Sequence, residues 1–135
     1  MKKYVSEDQE LIRAILGKDK FLMLNMNMVK VLNPNCAVFL TYLLDKAEYL
    51  LSLKQIKSLD NSFYVYRREF NNNFGLSSYQ QRQIESKLKA LELIEVVEMR
   101  KVGETWNDYK LNIDKIYDLI EISEIIPHKE TIPTP

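Results

Sequence analysis

The chain has 135 residues, 46% hydrophobic and 28% charged, a balance that fits one globular domain and excludes a wholly disordered chain. Lysine plus arginine (19) and aspartate plus glutamate (19) cancel, so a nucleic-acid role requires a local charge asymmetry. Three glycines and four prolines exclude collagen and glycine-rich linkers, and a single cysteine excludes an internal disulfide and fits a reducing interior.

No apolar run approaches bilayer length, and Met1-Lys2-Lys3 leads straight into Ser6-Glu7-Asp8-Gln9-Glu10, not into the apolar stretch of a secretory signal. A cytoplasmic protein without membrane association is expected. Ser6 to Gly17 predicts a short amphipathic helix, capped by Ser6 and ended by Gly17, with Leu11, Ile12, Ile15 and Leu16 as its apolar stripe. Phe21 to Leu24 reads as a strand and Met26 to Leu32 as a short helix, a stretch in which short apolar runs alone do not separate the two. Asn33-Pro34-Asn35 starts a long helix reaching about Leu50, and its Val38, Phe39, Tyr42, Leu43, Leu44 and Ala47 make it the central core helix. Cys36, in its first turn, has no positioned base and reads as a buried structural residue.

After a connector closing at Asp60-Asn61-Ser62, Phe63 to Tyr66 predicts a short aromatic strand, and Arg67 to Phe74 a helix of one to two turns ending at Gly75. Ser77 with Gln80 matches a capping box for the next helix, and Leu76 plugs the core at the corner. Helix, tight turn and capped second helix form the helix-turn-helix pattern. On a wheel of 100° per residue, Ile84, Leu88 and Leu91 fall within about 60° and define a buried stripe. Opposite lie Arg82, Ser86 and Lys89, with Ser78 and Tyr79 a turn or two earlier and Gln83 and Glu85 as flanks. That outward face carries groups suited to base edges and phosphates, although a merely solvated helix face has a similar composition. Between residues 64 and 91, Arg67, Arg68, Arg82, Lys87 and Lys89 oppose only Glu69 and Glu85, whereas the chain from Asn112 onward is acidic.

Leu93 to Met99 and Trp106 to Ile113 alternate around a basic, glycine-containing turn, which predicts a β-hairpin with Arg100 and Lys101 near its tip. Directly after a helix-turn-helix, such a hairpin is a wing. Asp114 to Ile126 predicts a final helix whose Ile116, Leu119, Ile120 and Ile126 share one face, with Ile122 and Ile125 off it. Leu119, Ile122 and Ile125 are the candidate dimer contacts. Residues 1–126 are expected to form one domain, with its core at 33–113 and the terminal helices packed on it, followed by a disordered tail at 127–135.

The run from Phe63-Tyr64-Val65 through Phe74-Gly75-Leu76-Ser77, then Tyr79-Gln80-Gln81-Arg82, then Lys87-Leu88-Lys89-Ala90-Leu91-Glu92-Leu93-Ile94-Glu95-Val96 resembles winged-helix domains of bacteriophages and plasmids. Asn33 to Leu44 is similar to their preceding core helix, and the likeness covers roughly residues 21–113. It implies an α+β winged helix-turn-helix, mainly helical with a C-terminal wing and flanking helices, acting in replication initiation or transcriptional control. It also implies DNA contact through Ser78, Tyr79, Gln81, Arg82 and Lys89. One departure stands out: Leu91-Glu92-Leu93-Ile94 lacks the glycine of the usual "LGLI" corner.

No P-loop, G-x-G-x-x-G, paired zinc ligands or supported nucleophile is present, so neither catalysis nor a cofactor or metal is expected. The expected function is double-stranded DNA binding in a bacterial or phage-infected cell, with a recognition helix at 77–91 in the major groove and a wing at 99–106 on the backbone. The candidate contacts are Arg67, Arg68, Ser77, Ser78, Tyr79, Gln81, Arg82, Gln83, Ser86, Lys89, Arg100 and Lys101. A homodimer and a replication or transcription partner are expected; the alternative is a winged-helix adaptor that binds protein and not DNA.

Overall fold

In the computed structural model, which describes residues 7–17 and 22–121, short-range signals set most element ends. Helix α1 spans Glu7–Gly17, and residues 22–25 form no regular element, so a strand there is not observed. The Asn25 side chain accepts from the Met28 amide at 3.0 Å and starts α2, Met26–Leu32. Asn33, at φ 102°, ends α2 and caps α3, Pro34–Ser52, by accepting from the Cys36 amide at 2.9 Å, with Pro34 in the first turn where its missing donor costs nothing.

Strand β1 (Phe63–Tyr66) runs directly into α4 (Arg67–Phe74), which stops at Gly75 in the left-handed conformation. Helix α5 (Ser78–Ala90) follows, and then the hairpin of β2 (Ile94–Lys101) and β3 (Glu104–Leu111). The hairpin turns on two residues, Val102 (φ 45°) and Gly103 (φ 77°), the primed geometry that matches strand twist. The fold is α+β, with a three-stranded antiparallel sheet in the order β1-β3-β2. A last helix, α6, covers residues 113–121 of the described chain, with the Asn112 side chain accepting from the Lys115 amide.

The core gathers on α3. Cys36, Ala37, Phe39, Leu40, Leu43 and Ala47 are buried there, while Val38, Tyr42 and Leu44 are half-buried. Phe70 of α4 stacks on Phe39 with centroids 4.1 Å apart, and Tyr109 of β3 meets both rings edge-on. Burial raises the Cys36 thiol pKa against the opposing pull of Lys87, which suits an inert cysteine. In α6, Ile116 is buried, and Leu119 and Ile120 pack on the same core.

Two packing expectations need correction. The core closes without α1, whose Leu11, Ile12 and Ile15 lie exposed. Leu119, expected at a subunit contact, packs against its own chain because it shares the inward stripe of Ile116 and Ile120. Ile122, Ile125 and the tail at 127–135 lie outside the described residues. Among the described residues, no helix is long and apolar enough to cross a membrane.

Candidate nucleic-acid interface

Gly75 and Leu76 set how α5 leaves α4. At φ 71°, Gly75 supplies the left-handed turn, and its amide donates back to Asn71 and Phe70. Leu76 is buried at the corner, and the Asn71 and Gln81 side-chain amides both donate to its carbonyl. The capping box closes in both directions: the Gln80 amide donates to Ser77 Oγ at 3.1 Å, and the Ser77 amide to Gln80 Oε1 at 2.9 Å. Ser77 is therefore engaged in starting the helix.

Along α5, Ser78, Tyr79, Arg82, Gln83, Ser86 and Lys89 are exposed on the outward side, as their spacing predicts. Gln83 Nε2 donates to the Tyr79 hydroxyl at 2.9 Å, linking one turn to the next. Lys87 faces elsewhere, and its Nζ donates to the Leu32 carbonyl at the end of α2.

The inward side of α5 differs from expectation. Ile84 and Leu88 are buried, but Leu91 is exposed because it lies at the C-cap, beyond the last packed turn. Two polar residues complete the inward stripe instead, Gln81 (0% exposed) and Glu85 (6%). Gln81 Nε2 donates to the carbonyls of Arg67 and Leu76, so Gln81 is a bracket between α4 and α5 and not a base contact. Arg67 is also removed from the surface. Its guanidinium makes two donations to the Glu85 carboxylate, at 3.2 and 3.3 Å, and one to Gln81 Oε1 at 3.1 Å. Burial disfavours the Arg67 charge, but Glu85, joined by Glu98, outweighs it and holds the guanidinium pKa above its usual value.

Asn107 and Tyr109 of β3 complete this buried cluster, both donating to Glu85 Oε2, at 2.7 and 2.8 Å. Desolvation, reinforced by Glu85, pushes the Tyr109 phenol pKa up, which keeps it a neutral donor. Arg67 Nε and Asn107 Oδ1 are the buried side-chain atoms without a protein partner among the described residues.

Strand alternation sorts the remaining cations. Glu98 and Arg100 lie on the sheet face turned toward α5, whereas Lys101, one residue on, belongs to the opposite face and cannot act beside Arg100. Arg68 also belongs to that opposite face. It pairs with Glu104, and its guanidinium carbon sits 4.4 Å from the Tyr66 ring centroid, next to the Tyr66–Trp106 contact.

Glu98, given no role by sequence reasoning, is where the guanidinium groups converge. Its carboxylate accepts from Arg67 at 3.2 Å, from Arg82 at 3.3 and 3.5 Å, and from Arg100 at 3.2 Å. The Arg82 hydrogen bonds, followed by Arg67, hold the Glu98 carboxyl at about 2 against the opposing effect of burial. The sequence signal was the i, i+2 pair of Glu98 and Arg100, which alternation puts on one face. The reach of Arg82 to that face follows only from the packing of α5 on β2.

With family models, curated proteins and solved structures as the comparison sets, the chain matches none of them.

Proposed function

We propose that the chain is a winged helix-turn-helix protein that binds double-stranded DNA, with α5 as recognition helix and the β2–β3 hairpin as wing. The observation that carries this reading is the seam where helix and hairpin meet. Arg82 from α5 and Arg100 from β2 stand side by side on one carboxylate, both exposed, continuous with the outward row of Ser78, Tyr79, Gln83, Ser86 and Lys89. A helix face of amide, hydroxyl and guanidinium groups suits the donor and acceptor pattern of a major groove, and a cation on the adjoining hairpin suits the flanking phosphates. In this reading the DNA set is Ser78, Tyr79, Arg82, Gln83, Ser86, Lys89 and Arg100. The role is regulatory or replication-initiating in a cytoplasm of bacterial or phage-infected type, without catalysis or a cofactor.

The decisive experiment is duplex binding by the purified chain. Arg82→Ala should cost about 1–3 kcal/mol on a preferred site, and Lys89→Ala should weaken all duplexes alike and flatten the salt slope by about one ion. Folded variants that bind like the parent would dismiss α5 as the reader. A two-fold dimer setting recognition helices about 34 Å apart belongs to the same proposal, and sedimentation tests it.

A second reading, a protein-binding adaptor, draws on the sheet face turned away from α5. Tyr64, Val97 and Met99 are exposed there beside Tyr66 and Trp106, more apolar surface than a DNA reader needs on its far side. Co-purification of a protein partner with no duplex binding would favour it.

A further inference from the structure

We infer that Glu98 acts as a brake on sequence-independent DNA binding by competing with phosphate for Arg82 and Arg100. This rests on the DNA-binding reading above and assigns a regulating residue within that site. The charges at the seam divide into two groups. Arg67 and Glu85 neutralise each other inside the protein, with side chains 7% and 8% exposed. That leaves Glu98 facing the two solvent-accessible guanidiniums, Arg82 at 47% and Arg100 at 71% exposure.

Arg67 also grips Glu98 from beneath, so the carboxylate cannot swing away when DNA approaches. On a random duplex a phosphate must instead take both arginines from it, whereas on a preferred site Arg82 turns to a base edge and only Arg100 to phosphate. Exposed ion pairs are weak, so the restraint yields to a duplex. It nevertheless removes cationic contacts that any sequence would otherwise gain equally. A preferred site recovers the loss through base edges at α5, and a random duplex does not.

The test uses the full chain and a random-sequence duplex titrated at several salt concentrations. Glu98→Gln should bind it about tenfold more tightly at low salt, with a slope steeper by about one to two ions, as expected for one or two added phosphate contacts. Glu95→Gln removes the same charge from the opposite face of β2, where Glu95 lies across from Lys110, and should change neither quantity appreciably. Adding Arg82→Ala and Arg100→Ala to Glu98→Gln should abolish the gain.

A Glu98→Gln protein that binds as weakly as the parent or more weakly overturns the brake while leaving DNA binding intact. So does a gain equalled by Glu95→Gln, because the effect would then be net charge alone. If neither parent nor variants bind any duplex, the DNA reading fails and the brake with it. Glu98→Thr, which suits a strand, repeats the measurement should Glu98→Gln fold poorly.

Discussion

Around α3 the interior is apolar: Phe39 and Phe70 stack, Leu40, Leu43 and Leu32 close around them, and Tyr42 and Phe74 pack edge-on at the margin. Beneath α5 it is polar, with Arg67, Gln81, Glu85, Asn107 and Tyr109 buried together and exchanging directed hydrogen bonds. The two regions share Tyr109, whose ring belongs to the first and whose hydroxyl belongs to the second. Dispersion and apolar burial depend on volume and scarcely on direction, so the α3 region should tolerate exchange among residues of similar size. Charge-assisted hydrogen bonds depend on direction, and removing one partner leaves the other buried and unpaired. The polar region therefore specifies the angle between α4, α5 and the hairpin more sharply, and that angle brings Arg82 to Arg100.

The largest expected effect comes from breaking the polar region on one side. Arg67→Ala should destabilise the fold by about 3–5 kcal/mol in urea unfolding, because Glu85 is left as a buried unpaired charge. Replacing both partners, Arg67→Met with Glu85→Leu, should cost less than Arg67→Ala alone. If the pair costs as much as the single variant, the strain of an unpaired charge is not what holds the region together.

In the apolar region, Leu43→Met should cost less than about 1.5 kcal/mol in the same assay, since volume is nearly conserved. A loss matching that of Arg67→Ala would erase the contrast between the regions.

Acid sharpens the comparison from the surface side. The Glu98 carboxyl sits at about 2 in the fold against an ordinary 4.5, so its contribution is fully present above about pH 4.5 and is lost as the pH falls toward 2. Glu98→Gln should therefore flatten the decline of stability with pH across that window, followed by circular dichroism. An unchanged decline would mean that Arg82 and Arg67 do not hold the Glu98 carboxylate as described.

The smallest effects concern two backbone positions outside either region. Glu92 adopts φ 62° at the end of α5, where the Leu93 amide donates to Leu88 and the Glu92 amide to Lys89, a Schellman closure that favours glycine. Among the described residues its side chain pairs with the exposed Lys115. Glu92→Gly should thus stabilise by about 0.5–1 kcal/mol, and Val102→Asn at the hairpin turn by a similar amount, read as a raised Tm.

Glu92 also shows how closely sequence and geometry agree at a corner. The corner lacks the glycine of the usual pattern, yet the turn has the left-handed form that glycine would give, with Leu88 and Leu93 buried on either side of it. Gln81 shows the reverse. It falls only about 20° from Leu88 on the wheel, so its place on the inward stripe was legible, but a polar side chain in a motif associated with DNA reads as a surface contact. Arg100 and Lys101 were likewise separable by alternation alone.

What the sequence by itself determined were the features made of neighbouring residues: the Asn33-Pro34 start of α3, the Ser77–Gln80 box, the Gly75 stop and a hairpin turn around Gly103, which the structure tightens from the expected 100–105 to Val102-Gly103. Each satisfies backbone groups within a few positions, so nothing distant is needed to form it. Only the tertiary structure decided that β3 lies between β1 and β2, that Arg67 and Glu85 go inside, and that Glu98 gathers Arg67, Arg82 and Arg100. A charged side chain can leave water only where an opposite charge waits, and for Glu85 that charge stands on another helix, 18 residues away in sequence.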